Sequence, residues 1–269
     1  MRSIEGKIKK ERSVLFLRKE AQSFPFEQRS AVGPLVHGCG FEISKHRGHS
    51  VTLVSIVIYA RVGETVEIIK TKETYNHQKF PNPLELASLL VQEDLIIMKQ
   101  IEEDYHLESA SLCAPTRWSL KDKFRESLSK IHKEVPGYEQ KIGKRVDGIF
   151  SNLPDDKIFE RFNWSIFDSP ELFQPINSKT LVEIRDLRPQ ELFIRVERQT
   201  IRRLEQSKSV LFTVRVHVDP ITAILDSKRS IEDLITAISK LDLDMKNYKV
   251  ITPFEENLIN WLKSKAINE

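Results

Sequence analysis

Charged and polar side chains occupy two strand-like runs in residues 190–218, where a strand would normally alternate apolar with polar residues. One face of the first run carries Leu192, Ile194, Val196, Arg198, Thr200, Arg202 and Leu204, and the other carries Phe193, Arg195, Glu197, Gln199, Ile201 and Arg203. The second run, residues 209–218, has valine and phenylalanine on one face. Such a hairpin buries its apolar side and presents Arg, Glu, Gln and Thr to a cleft or to the surface. A solvated, salt-bridged hairpin is the alternative, because charge-rich strands mostly face solvent.

A histidine in residues 120–133 is the second candidate for chemistry. The apolar residues there follow the period of a helix: Leu120, Phe124, Leu128 and Ile131. We predict a helix that begins after Ser119 and ends before Pro136, with His132 on the edge of its apolar face. An imidazole in that setting is either a metal ligand or a satisfied core residue, and both readings stay open.

The overall composition excludes several classes of protein. The 269 residues are 40% hydrophobic and carry a formal charge of only +3, which favours a globular protein and gives no support to nucleic-acid binding. The longest apolar run, residues 51–60, is too short to cross a bilayer. Two distant cysteines, Cys39 and Cys113, exclude a disulfide scaffold and a cysteine-only metal cluster, and HGCG at residues 37–40 is read as a loop.

The remaining patterns predict the elements that must position these residues. We expect a hairpin over residues 51–59 and 66–70, a helix capped by Asn82 and running to about residue 102, and a short strand at 109–113. A helix over 144–153, strands at 162–167 and 180–184, and the charged hairpin follow. Two C-terminal helices begin near Ser230 and Thr252. Because the sequence has no Rossmann fingerprint, P-loop, HExxH or GxSxG motif and no repeat, we favour one α+β domain around an antiparallel sheet.

Several long motifs, in order, resemble the haem-dependent oxidative N-demethylase family, whose type is the haem-bearing α subunit of dimethylamine monooxygenase. They are CAPTRWSLKDKFRESLSKIHKEVPGY at 113–138, RFNWSI at 161–166, IRVERQTIRRL at 194–204 with VLFTVR at 210–215, and PLELASLLVQEDLIIM at 83–98. The resemblance covers about residues 74–220. Residues 1–70 are unlike the family's N-terminal helical region, so we divide the chain into a divergent segment, 1–70, and a haem-binding domain with C-terminal helices, 71–269.

The resemblance implies a PAS-like fold, an antiparallel sheet with flanking helices that holds b-type haem. It also implies the O2-dependent removal of a methyl group from a small secondary amine. Electrons in that family come from NADPH through FMN and [2Fe–2S] centres on partner subunits, so a separate flavin and iron–sulfur reductase is the expected partner. No nucleic acid and no membrane are expected as partners. The basic N-terminal residues lack the apolar core of a secretory signal, which favours a cytoplasmic protein and leaves a mitochondrial presequence open.

Residue by residue, the resemblance assigns the axial iron ligand to His132, with Cys113 as the competing thiolate ligand. The family's tryptophan-containing motifs supply candidates for binding the haem propionates: Arg117, Trp118, Arg161, Asn163 and Trp164. Loop hydrogen bonds and indole packing are the structural alternative for each of them.

The ERQT segment is the expected oxygen and amine pocket. Glu197 would hold a cationic amine, and Arg198, Gln199 or Thr200 would polarise bound O2 by hydrogen bonding. Strand alternation groups Glu197 with Arg195 and Gln199, and Arg198 with Thr200, so only one set can face the haem. Two other functions remain open: a haem-binding PAS-type sensor, and an interaction protein that has lost the cofactor.

Overall fold

A computed structural model of the chain describes residues 37–38, 58–62, 65–68, 72–80, 82–175 and 184–267. Its largest element is a five-stranded, fully antiparallel sheet with the strand order β6-β5-β9-β8-β7. These strands are β5 Asp94–Ile101, β6 Asp104–Ser111, β7 Ile158–Phe167, β8 Phe193–Arg203 and β9 Val210–Pro220. The α+β class and the antiparallel sheet predicted from the sequence are therefore confirmed.

A second, smaller sheet precedes the first. Its strands are β1 His37–Gly38, β2 Ile58–Val62, β3 Thr65–Ile68 and β4 Glu73–Asn76, paired in that order. The loop predicted for HGCG is therefore wrong at His37 and Gly38, which pair with Tyr59 and Ile58 of β2. The β2–β3 hairpin confirms the turn that we expect after residue 60, with Val62 opposite Thr65. The part of that hairpin prediction on residues 51–57 lies outside the described residues. Buried Val66 packs this sheet against a helix, α1 Pro83–Leu90.

The helix predicted from Asn82 to residue 102 is wrong beyond residue 90. Asn82 caps α1 as expected, accepting a hydrogen bond from the backbone N–H of Leu84 at 2.9 Å. The chain then becomes extended at Val91 and enters β5. Sheet pairing on both sides replaces the helix because β5 is an inner strand between β6 and β9, where Ile96 and Met98 are buried.

Two short helices, α2 Leu120–Lys123 and α3 Leu128–Ile131, stand where a single helix is predicted over 120–133. The intervening chain pairs with β6 instead. The N–H of Arg125 donates to the carbonyl of Leu107 at 2.9 Å, and the N–H of Leu107 donates to the carbonyl of Glu126 at 3.1 Å. Arg125 has a left-handed backbone with a φ of 64°, which interrupts the helix and leaves His132 at the end of α3.

The rest of the chain follows the predicted pattern with shifted boundaries. A π-helix, Tyr138–Gly143, leads into α4 Lys144–Ser151, and three helices follow the sheet: α5 Lys228–Ser239, α6 Leu243–Tyr248 and α7 Glu255–Ala266. Of these, α6 is not predicted from the sequence. Ser227 rather than Ser230 caps α5, accepting from the N–H of Ser230. The strand predicted at 180–184 lies outside the described residues except for Ile184, which is helical.

Two hydrophobic clusters cover the two faces of the large sheet. The first contains Val210, Val214 and Val216 of β9 and is closed by the segment between β6 and β7, including Leu120, Leu128 and Phe150. The second packs Ile166 and Leu192 against α5 and α7. In the part of the chain that the structure describes, no helix has the length and apolarity that crossing a membrane requires.

Candidate functional site

The buried face of β8 carries three polar side chains in a row. Arg195, Glu197 and Gln199 are 1%, 8% and 6% exposed, respectively. The sheet register places Glu197 opposite Asn163 of β7 and Gln199 opposite Arg161. Because directly paired residues share a sheet face, all five side chains lie on the face that carries the first hydrophobic cluster. The candidate site is this polar strip beside the apolar core.

Glu197 lies at the centre of a connected hydrogen-bond network. Its Oε1 accepts from the Thr116 hydroxyl at 2.6 Å, and its Oε2 accepts from Gln199 Nε2 at 2.7 Å and from Asn163 Nδ2 at 3.3 Å. Gln199 in turn accepts from Arg161 Nε at 2.6 Å. A carboxylate has about four acceptor positions, two on each oxygen. Among the residues that the structure describes, the partners of Oε2 use both of its positions, and Oε1 keeps one.

Arg195 holds two loops over this network. Its guanidinium donates to the carbonyls of Ala114 at 2.8 Å, Leu172 at 3.0 Å and Glu171 at 3.2 Å, and its Nε donates to the Thr116 hydroxyl at 3.3 Å. Burial lowers the pKa of Arg195 to about 10, while the carboxylates of Glu197 and Asp94 act in the opposite direction. The guanidinium therefore stays charged at neutral pH and balances the buried carboxylates.

The loop that supplies Thr116 begins at Cys113. Asp94 Oδ1 accepts from the N–H groups of Cys113 at 2.6 Å and Ala114 at 3.0 Å, which fixes the start of the loop. The Cys113 thiol is buried and donates to the carbonyl of Gln92 at 3.3 Å. A thiol that donates a hydrogen bond to a backbone carbonyl is protonated. The structure therefore gives no support to the Cys113 thiolate as an iron ligand.

Arg117 and Trp118 follow in the same loop. The Arg117 guanidinium pairs with the buried carboxylate of Asp168 at 2.5 Å and lies over the ring of Phe167, 4.1 Å from its centroid. Trp118 packs against the first hydrophobic cluster. Both residues adjoin the strip, and Arg117 has its charge engaged by the protein itself.

The structure separates the residues of the RFNW and ERQT motifs between the two sheet faces. Arg161 and Asn163 lie in the Glu197 network, as does Gln199. Trp164 lies on the opposite face and packs with the second hydrophobic cluster. Arg198 also lies on the opposite face, where it pairs with Glu160 at 2.5 Å. The alternation therefore brings together Glu197 and Gln199 and leaves Arg198 outside the candidate site.

His132 lies at the C-terminal end of α3, near enough to Arg161 of the Glu197 network for that charge to act on its pKa. Its Nδ1 bonds to the carbonyl of Leu128 at 2.8 Å, which makes Nδ1 the protonated nitrogen and leaves the lone pair on Nε2. Burial lowers the pKa of His132; the hydrogen bond to Leu128 opposes this effect, and the positive charges of Arg161 and Lys123 add to it. A neutral imidazole with one ring nitrogen fixed by a carbonyl is the form that binds a metal ion.

Lys249, after α6, reaches the strip from the C-terminal helices. Its ammonium donates to the carbonyl of Trp164 at 2.6 Å and to Asn163 Oδ1 at 3.2 Å. Burial lowers the pKa of Lys249, and the Glu197 carboxylate acts in the opposite direction. Sequence reasoning missed this residue, since a lone lysine between helices carries no signal. Thr116 could have been found, because it lies within the CAPTRW motif.

The fold and the site define an α+β protein that holds a buried carboxylate, hydrogen-bonded by Thr116, Asn163 and Gln199, on one face of an antiparallel sheet, with a neutral histidine within reach of the charge of Arg161. A model of one protein family, described as "haem-dependent oxidative N-demethylase, alpha subunit-like", matches residues 55–259. The chain belongs to this family. The match spans all five strands of the large sheet and every residue of the candidate site.

Proposed function

We propose that the chain is a haem-bearing subunit that removes a methyl group oxidatively from a small secondary amine, using O2 and electrons from a separate reductase. The family match supports haem dependence and the class of enzyme. The single observation that carries the proposal is the Glu197 carboxylate, buried beside the apolar core and retaining one acceptor position on Oε1. A PAS-like fold belongs to this proposal, supported by the antiparallel sheet and its flanking helices.

The residues present fit a haem. Iron in a porphyrin needs one side-chain donor on its proximal side, and His132 offers a neutral imidazole with its lone pair on Nε2. Arg161 lies close enough to influence the pKa of His132 and uses its Nε for Gln199, so its remaining N–H groups suit a propionate. Asn163 supports the network from the same strand. When bound, the haem would supply O2 activation.

The chain's own residues would bind and orient the amine. A secondary amine is protonated at neutral pH, and an alkylammonium ion matches the remaining acceptor position of Glu197 Oε1. Thr116, Asn163 and Gln199 fix the carboxylate, which lowers the cost of ordering it when the amine binds. Burial excludes water from this contact and strengthens it.

Absorption spectroscopy of the purified chain tests the proposal. Haemin added to the wild type should give a Soret band that is sharpened and shifted relative to that of free haemin, and dimethylamine should shift it further. His132→Ala should give the band of free haemin or a changed iron coordination. His106→Ala is the matched control, since His106 also places Nδ1 on a backbone carbonyl, that of Arg125 at 3.0 Å. If the spectrum with the wild type were that of free haemin, only a non-catalytic role would remain. If haem bound but dimethylamine left the Soret band unchanged, a haem-binding sensor would be favoured.

The reductase is tested separately. The sequence has no cysteine quartet for a four-cysteine [2Fe–2S] cluster and no nucleotide-binding motif, so FMN and iron–sulfur centres would reside on partner subunits. NADPH alone should leave the ferric haem oxidised under anaerobic conditions, whereas dithionite should reduce it. Direct reduction by NADPH without added protein would contradict the need for a partner.

A further inference from the structure

Tyr138 lies flat against His132 at the first position of the π-helix. The two ring centroids are 4.6 Å apart, and the ring planes differ by 7°. Gly137, with a φ of 68°, provides the reversal that brings the tyrosine back onto the histidine. Because the phenol covers one face of the imidazole, it restricts the orientation of the candidate iron ligand.

The hydroxyl of Tyr138 is buried without a hydrogen-bond partner in the part of the chain that the structure describes. The residue is 5% exposed. A phenol hydroxyl is protonated at neutral pH and can donate one hydrogen bond. A buried donor without an acceptor destabilises a protein, and native structures keep few such groups.

The stack places this unpartnered donor beside the candidate iron ligand, where the carboxylates of the haem propionates are the acceptors that a bound haem would bring. The charges of Asp147 and Arg161 act on the hydroxyl in opposite directions, Asp147 more strongly, so a carboxylate acceptor would depend on Arg161 to offset Asp147. We propose that the Tyr138 hydroxyl donates a hydrogen bond to a haem propionate held beside Arg161. This inference rests on the proposed function, since it assumes that haem binds next to His132.

Two tyrosine-to-phenylalanine variants separate the proposed contact from a structural role. Tyr105 is the matched control, because it is 3% exposed and its hydroxyl donates to the carbonyl of Phe150 at 3.2 Å. We expect Tyr138→Phe to leave the melting temperature of the haem-free chain unchanged or higher and to raise the haemin dissociation constant about tenfold. Tyr105→Phe should lower that melting temperature and leave haemin affinity unchanged.

Haem dimethyl ester identifies the acceptor, because its propionates are esterified and uncharged. For haemin, the dissociation constants of the wild type and Tyr138→Phe should differ about tenfold. For the ester, the two dissociation constants should be much closer to each other. Equal haemin affinities, an equal loss with haemin and ester, or a lower melting temperature of haem-free Tyr138→Phe would each reject the contact. A Soret band that depends on His132 but not on Tyr138 would leave the proposed function standing. If the wild type did not change the Soret band of free haemin, the proposed function and the Tyr138 contact would both be rejected.

Discussion

Replacing Arg195 by methionine should remove the main support of the candidate site. The substitution preserves much of the apolar stem and deletes the guanidinium, which is 1% exposed and hydrogen-bonded to the carbonyls of Ala114, Glu171 and Leu172. It also leaves the carboxylates of Glu197 and Asp94 without their buried positive charge. Removing one partner of a buried ion pair costs roughly 3–5 kcal/mol, and we expect a loss of that size in the free energy of unfolding.

Urea denaturation followed by circular dichroism measures this loss, with Arg198→Met as the matched control. Arg198 occupies the same strand three residues away, but its side chain lies on the other face and pairs with Glu160 while both remain about one-third exposed. An exposed pair contributes less than about 1 kcal/mol. If the two variants lost stability within about 1 kcal/mol of each other, the reasoning that assigns Arg195 a central role would be refuted.

Three further perturbations have defined outcomes. Glu197→Gln should retain haemin but weaken dimethylamine binding by roughly 1.5–3 kcal/mol, whereas Glu160→Gln should not; equal dissociation constants would reject the pocket role. The folded pKa of His132 is below its ordinary 6.5, so the unfolded state takes up the proton first and stability should fall as pH drops below 6.5. Urea titrations of the haem-free chain should show a smaller fall in His132→Gln, and identical pH profiles would contradict this. Gly137→Ala should lose about 1 kcal/mol because of its φ of 68°, and Gly148→Ala, with open space around its Cβ inside α4, should gain roughly 0.5–1 kcal/mol; the opposite order in thermal melts would refute both.

The β8–β9 hairpin could be predicted from sequence because its charges follow strand alternation. The pattern grouped Arg195, Glu197 and Gln199 on one face and Arg198 on the other, and the structure has that division. Which face of β8 holds the candidate site could not be read from β8 alone, since both faces are mixed. Its partner strand supplies the missing information: Val214 and Val216 of β9 stand opposite Gln199 and Glu197 and pack that face against the first hydrophobic cluster.

The two helix predictions failed where long-range pairing replaced local periodicity. Leu95 and Met98 fit a helical stripe, yet β5 is held between β6, the next strand of the chain, and β9, where Asp94 stands opposite the distant Val214. Arg125 interrupts the second helix because its N–H bonds to Leu107 across the fold. Lys249 reaches the site by a similarly distant contact, with Asn163, 86 residues away. Local propensity carries no information about such partners.

The network around Glu197 also constrains the order of events during synthesis. Its members come from four separate parts of the chain: Thr116, Asn163, Glu197 itself and Lys249. Contacts with such long sequence separation form late in folding, because loop closure must precede them. The strip therefore cannot be complete until the segment after α6 has left the ribosome, so a finished site can capture its ligand only after that segment has emerged.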